Sequence, residues 1–137
     1  MSGKSVSLDT SFVMRLLVCE PLEIFRLASR YLAEKRAAKV AIHVSDLVLA
    51  EAYFALQGYY QLPKAAALAT LAKFTRHSGV TATPIARAVL ALPNLASAKP
   101  GFVDRLIHGA SRAGGHTLVT FEKAARKLPG TIVIATE

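Results

Sequence analysis

Tryptophan is absent from this chain, cysteine occurs once, and only nine of 137 residues are acidic. The lone Cys19 excludes an internal disulfide and fits a reducing cytoplasm, where we expect the protein to work. His43, His77 and His116 stand at no metal-ligand spacing from one another or from Cys19, which argues against a zinc site. The one glycine pair, Gly114-Gly115, precedes a strand pattern, the wrong side for a dinucleotide-binding turn. Hydrophobic residues make up 53% of the chain and mean hydropathy is +0.36. Even so, no apolar run nears the roughly 18 residues a membrane helix needs. The opening MSGKSVSLDTSFVMRLL reaches Asp9 before a signal-peptide core can form. With ten aromatic residues and no tryptophan, an extended base-stacking platform is not expected.

Basic charge is plentiful. Seventeen Lys and Arg against nine acids give a net charge of +8 and an isoelectric point near 10.0. Such a surface favours a polyanionic partner, nucleic acid first and an acidic protein second. The length suits one domain, residues 1–137, with a substantial core. No linker, internal repeat or low-complexity tract interrupts it.

The pattern alternates strand and helix. Val6–Leu8 reads as a strand, ended by the cap cluster Asp9-Thr10-Ser11 before a helix over Phe12–Val18. Pro21 opens a helix reaching Ala38, and Lys39–Val44 is a second strand. Ser45 and Asp46 cap the apolar helix LVLAEAYFAL, which ends near Gly58; Pro63 starts another through Phe74. Val80–Ala82 reads as a short strand, Pro84 starts a helix over Ile85–Leu92, and Pro93–Gly101 is a turn-rich connection. Phe102–Ala113 is helical and is stopped by Gly114-Gly115. Strand His116–Thr120, a short helix over Glu122–Lys127, a turn at Pro129-Gly130 and strand Thr131–Ile134 complete the chain. Strands separated by helices imply a parallel sheet with helices on both faces, an α/β sandwich. The functional crevice of such a sheet lies beyond the carboxyl ends of its strands.

The scarcity of acids directs attention to those retained. After Glu51 the chain carries ten Lys or Arg residues but only Asp104, Glu122 and the terminal Glu137 as acids. Asp9 and Glu122 each follow a strand directly. Glu51 sits in a helix apolar almost all round, so its burial is expected, and a buried carboxylate needs a cation or a hydrogen-bond cluster. Each acid also has an ordinary reading. Asp9 can cap its helix, Asp104 can serve the positive end of its helix or pair with His108, and Glu122 can pair with Arg126. Convergence of three or four on one sheet edge would point to a divalent ion between them.

Four segments together resemble the PIN-domain family, and in particular the small ribonucleases that form the toxin half of VapBC-type toxin–antitoxin pairs. They are SLDTSFVMRLL, VSDLVLAEAYFAL, FVDRLIHGASRAGGHTLVTFE and the tail KLPGTIVI. The resemblance implies a three-layer sandwich over a central parallel sheet and a Mg²⁺- or Mn²⁺-dependent endoribonuclease. Asp9, Glu51, Asp104 and Glu122 would hold the metal, flanked by the hydroxyls of Thr10, Ser11 and Thr120. Two positions depart from the pattern: Glu122 stands where Asp is usual, and Gly101 where many relatives carry a further Asp.

A carboxylate-held cation polarises the phosphodiester and acidifies bound water. Arg15, Arg105 and Lys123 are the candidates to offset backbone charge at the mouth. Single-stranded RNA suits a crevice on a small domain better than duplex. Expected partners are an acidic antitoxin laid across the crevice and a second copy of the chain, packed through Ala-rich helix surface such as Ala65–Leu71. A rival reading is a catalytically impaired PIN domain that binds RNA or protein. An Asp9-based phosphatase would need a second Asp where Ser11 stands, and fails on that residue.

Overall fold

A computed structural model describes residues 4–136. Its first strand, β1 (Ser5–Leu8), pairs in parallel with β2 (Ala41–Val44), Ser5 opposite Ala41 and Leu8 opposite Val44. Side chains alternate across the pleat, so Leu8, Ile42 and Val44 enter the core while Ser5, Ser7, Ala41 and His43 face out. The crossover between these strands holds α1 (Thr10–Val18) and α2 (Leu22–Ala37). Helix α1 starts at the Asp9 cap and ends at Cys19, whose left-handed backbone closes the last turn.

Helices dominate the middle of the chain. The Ser45 hydroxyl accepts from the Val48 N–H and caps α3 (Asp46–Gly58). Pro63 precedes α4 (Lys64–His77), and Thr83 caps α5 (Pro84–Leu90), with Pro84 in the first turn where its missing N–H costs nothing. A single 3₁₀ turn at Leu95–Ser97 leads to α6 (Phe102–Ala113). The second pair of parallel strands follows, β3 (Leu118–Thr120) and β4 (Thr131–Val133), joined by a 3₁₀ helix over Lys123–Lys127. Among the described residues, no helix is long and apolar enough to cross a membrane.

The core is built by the helices and the first strand pair. Val13, Leu49 and Leu71 are fully buried, with Ile42, Val44, Leu56 and Phe102 nearly so. Burying each such side chain contributes roughly 1.5–3 kcal/mol. Tyr53 of α3 meets Phe102 of α6 edge-on, with ring centroids 5.1 Å apart, and ties the two halves of the chain together. Helices α5 and α6 approach closely at Gly109, where a Cβ would collide with Cγ2 of Ile85.

This is the α/β class expected, with helices and parallel strands. The sheet is present as two parallel pairs and one bridge, and its later strands are shorter than the apolar runs suggest. Val80–Ala82 narrows to a bridge between Thr81 and His43, because Gly79 and the cap at Thr83 leave no room for more. Strand β3 begins at Leu118, since the His116 N–H is used in closing α6 on the Ser111 carbonyl. Within Ala65–Leu71, Ala67, Leu68 and Leu71 face the core and Ala65 and Ala69 face out.

Candidate active site

Asp9 leaves the carboxyl end of β1 and caps α1. Its Oδ1 accepts from the Phe12 N–H at 2.9 Å and from the Ser11 hydroxyl at 2.8 Å. These bonds, the Phe12 N–H first, favour the anion and hold the Asp9 carboxyl below the ordinary carboxylate value. One residue on, the Thr10 hydroxyl donates to Oε1 of Glu51 at 2.6 Å, reaching from α1 to α3. Hydrogen bonds thus join Ser11 to Asp9 and, across α1 and α3, Thr10 to Glu51.

Glu51 is not buried, contrary to its apolar neighbourhood in sequence. It shares an outward stripe with Leu47, 71% exposed, and Phe54, 58% exposed. The inward stripe of α3 is Leu49, Ala52, Tyr53 and Leu56. A helix apolar on both stripes gives no periodicity from which to tell them apart. The Thr10 hydroxyl and solvent satisfy the carboxylate.

The second acid pair lies past the carboxyl end of β3. Asp104, in the first turn of α6, and Glu122 both line a small cavity of about 150 Å³ with Pro100, Leu118, Thr120 and Leu128. The Thr120 hydroxyl accepts from the Glu122 N–H at 3.0 Å, and Oε1 of Glu122 accepts from the Ala124 N–H at 3.2 Å. Glu122 thus caps the 3₁₀ helix instead of pairing with Arg126. The His108 pairing open to Asp104 is not made either: Nε2 of His108 donates to the Pro129 carbonyl at 2.7 Å.

All four acids are exposed, and two clusters result. Among the described residues, no three acidic, histidine or cysteine side chains stand close enough to hold one ion. Convergence of all four on a single centre is therefore not what this arrangement shows. The physical reason lies in the sheet: β1 pairs with β2 and β3 with β4, so the carboxyl ends carrying Asp9 and Glu122 are not neighbours in one ladder. Carboxylate and hydroxyl oxygens fit a hard divalent cation in kind. In number they fit it only as pairs.

The basic candidates divide as well. Arg15 lies in the last turn of α1, roughly 9 Å along the axis from Asp9 at the helical rise. Its guanidinium donates to the Glu20 carbonyl at 2.6 Å and to the Tyr60 hydroxyl at 3.3 Å, away from the acids. Nε of Arg105 donates to the Pro100 carbonyl at 2.7 Å, which anchors the start of α6 beside Asp104. Lys123 is exposed next to Glu122. One contact had no sequence signal: the Thr83 hydroxyl donates to Asp46 at 2.5 Å, joining the starts of α3 and α5. Asp46 reads locally as a helix cap, a role that Ser45 takes.

The family model described as PIN domain matches residues 6–130, a span containing both acid clusters. No curated protein matches the chain, and no solved structure does.

Proposed function

We propose that this chain, which belongs to the PIN-domain family, is a metal-dependent endoribonuclease acting on single-stranded RNA. PIN domains are generally nucleases, and the observation that carries the reading here is the pairing of acids with hydroxyls past two strand ends. The Asp9 carboxylate accepts from the Ser11 hydroxyl and the Glu51 carboxylate from the Thr10 hydroxyl, while the Thr120 hydroxyl accepts from the backbone N–H of Glu122. In a +8 chain the basic surface attracts the phosphate backbone, and the exposed carboxylates are the oxygen donors in its path.

Asp9 and Glu51 are the residues to hold a Mg²⁺ or Mn²⁺ ion, with Asp104 and Glu122 as the second pair. Such an ion supplies charge neutralisation at the phosphate and a water of lowered pKa. The protein's own contribution is orientation. The Phe12 N–H and Ser11 hydroxyl keep Asp9 anionic and aimed, and Thr10 fixes Glu51 against α1. Lys123 neutralises backbone charge next to Glu122. The same reading includes a toxin role in the cytoplasm, with an acidic antitoxin across the acid clusters and a homodimer as the assembly.

The test is cleavage of single-stranded RNA with Mg²⁺ or Mn²⁺, repeated in EDTA, alongside Mn²⁺ titration followed by calorimetry. Cleavage that stops in EDTA, with Mn²⁺ affinity lost in Glu51→Gln, supports the reading. Cleavage unchanged by EDTA overturns the metal dependence. The second reading, an RNA-binding PIN domain without catalysis, draws on the finding that no three acidic, histidine or cysteine side chains among the described residues stand close enough to hold one ion. RNA retention without cleavage in either metal would establish it.

A further inference from the structure

Helices α1 and α3 are bridged by side chains at both ends of α1. Thr10 in its first turn meets Glu51, and Arg15 in its last turn meets the Tyr60 hydroxyl, just past the end of α3, at 3.3 Å. The same guanidinium donates to the Glu20 carbonyl at 2.6 Å. Arg15, Glu20, Pro21, Tyr59 and Tyr60 line an open pocket of about 450 Å³. At the helical rise it lies roughly 9 Å along α1 from Asp9 and roughly 12 Å along α3 from Glu51. A short stretch of single strand spans that distance.

The fold accounts for part of this arrangement. The bonds of Arg15 clasp α1 to the turn after α3, and Tyr60 is half-buried in making its share. Two features are left over. The Tyr59 ring is 81% exposed, and it stands at 72° to the Tyr60 ring with centroids 4.8 Å apart, so the two are not stacked. Glu20 is exposed, and its carboxylate takes no hydrogen-bond partner among the described residues. An open aromatic ring, a free carboxylate and a fixed guanidinium around one pocket are the parts of a site for an unstacked base.

We infer that this pocket takes a guanine of single-stranded RNA, turned out of the strand and stacked on Tyr59. The inference rests on the ribonuclease reading and adds the base that the site selects. Guanine presents on its Watson–Crick edge an acceptor at O6, then donors at N1 and N2. Arg15 has N–H donors beyond those it uses, and they suit O6; the Glu20 carboxylate accepts from N1–H and N2–H. Adenine and cytosine turn a ring-nitrogen acceptor toward that carboxylate, and uracil a carbonyl, so each meets it with repulsion. One stacked base is within the means of a chain too poor in aromatics for an extended platform. An acidic peptide fits less well, because Glu20 repels its carboxylates.

The experiment uses the full chain in EDTA and fluorescein-labelled oligouridylates carrying one central guanine, adenine or cytosine, with the unsubstituted strand beside them. Anisotropy reports affinity. The guanine strand is expected to bind on the order of tenfold more tightly than the other three. Tyr59→Ala should lower its affinity on the order of tenfold, while Tyr59→Phe, which keeps the ring, should not. Glu20→Gln should bring guanine to the level of adenine. Tyr59 and Glu20 are both exposed, so unchanged melting curves separate binding from folding. Equal affinity for all four strands, or a guanine preference that survives Glu20→Gln and Tyr59→Ala, overturns the inference. Guanosine monophosphate competing as tightly as the guanine strand would overturn the RNA assignment in favour of a free nucleotide. Cleavage in Mn²⁺ is scored separately: its absence with the guanine preference intact removes only the nuclease reading, and cleavage without that preference removes only this inference.

Discussion

The two acid pairs sit on differently built ground. Asp9 and Glu51 stand on β1, α1 and α3, whose inner side chains include Val13 and Leu49 at full burial. A hydroxyl from one helix reaches a carboxylate on the other, so this pair is braced from both sides. Glu122 follows a strand pair whose outer face is apolar and open: Val119 is 60% exposed, Phe121 68% and Ile132 51%. Local stability follows the number of buried apolar contacts an element makes. Asp9, Glu51 and Asp104 therefore ride on well-packed core elements, and Glu122 on a part that opens at lower cost.

The sharpest test of the comparison is catalytic. Asp9→Asn and Asp104→Asn should each lower single-turnover RNA cleavage by on the order of 100-fold or more, with far-UV circular dichroism unchanged. A near-normal rate in Asp104→Asn alone would break the symmetry and leave the braced pair as the working centre. Next in size is stability. Leu49→Ala should cost about 2–5 kcal/mol in urea unfolding, because the cavity it leaves is walled by rigid core. Ile132→Ala on the open strand face should stay within about 0.5 kcal/mol. Equal losses would mean that the second half is as well supported as the first.

The smallest effect is a dependence on pH. The folded Asp9 carboxyl is held below its unfolded value, chiefly by the Phe12 N–H. The unfolded chain therefore binds the proton more tightly. Asp9 contributes stability that is fully present above the unfolded carboxylate value and is lost as pH falls through the folded one. Asp9→Ala should flatten that acid limb, and denaturant midpoints of the two proteins measured across the acid range check it.

The order of elements was legible because caps and breakers are local chemistry: Asp9, Ser45 and Thr83 each receive an N–H from three residues on. Membership of the family was legible in the four quoted segments, which fall largely within the matched span. The exposure of Glu51 was not. Leu47 and Phe54 make its stripe look like core, and only the packing of α3 on its other stripe settles which one faces in. How many of the acids come within reach of one ion was equally hidden, since strand pairing is a long-range property that no window of sequence contains. The partners of Arg15, the Glu20 carbonyl and the Tyr60 hydroxyl, were hidden as well, since the second is 45 residues away in sequence.

At Gly109 the contact with Ile85 couples two surfaces that chemistry alone would treat as strangers. Helix α5 carries Arg87 to a cavity of about 680 Å³ between α4 and α5, and α6 carries Asp104 to the second acid pair. A methyl group at position 109 would act as a spacer, because the contact leaves no slack to absorb it. Whichever helix yielded, one of those two side chains would be carried off its mark. Drift at this residue is thus constrained from both ends of the molecule.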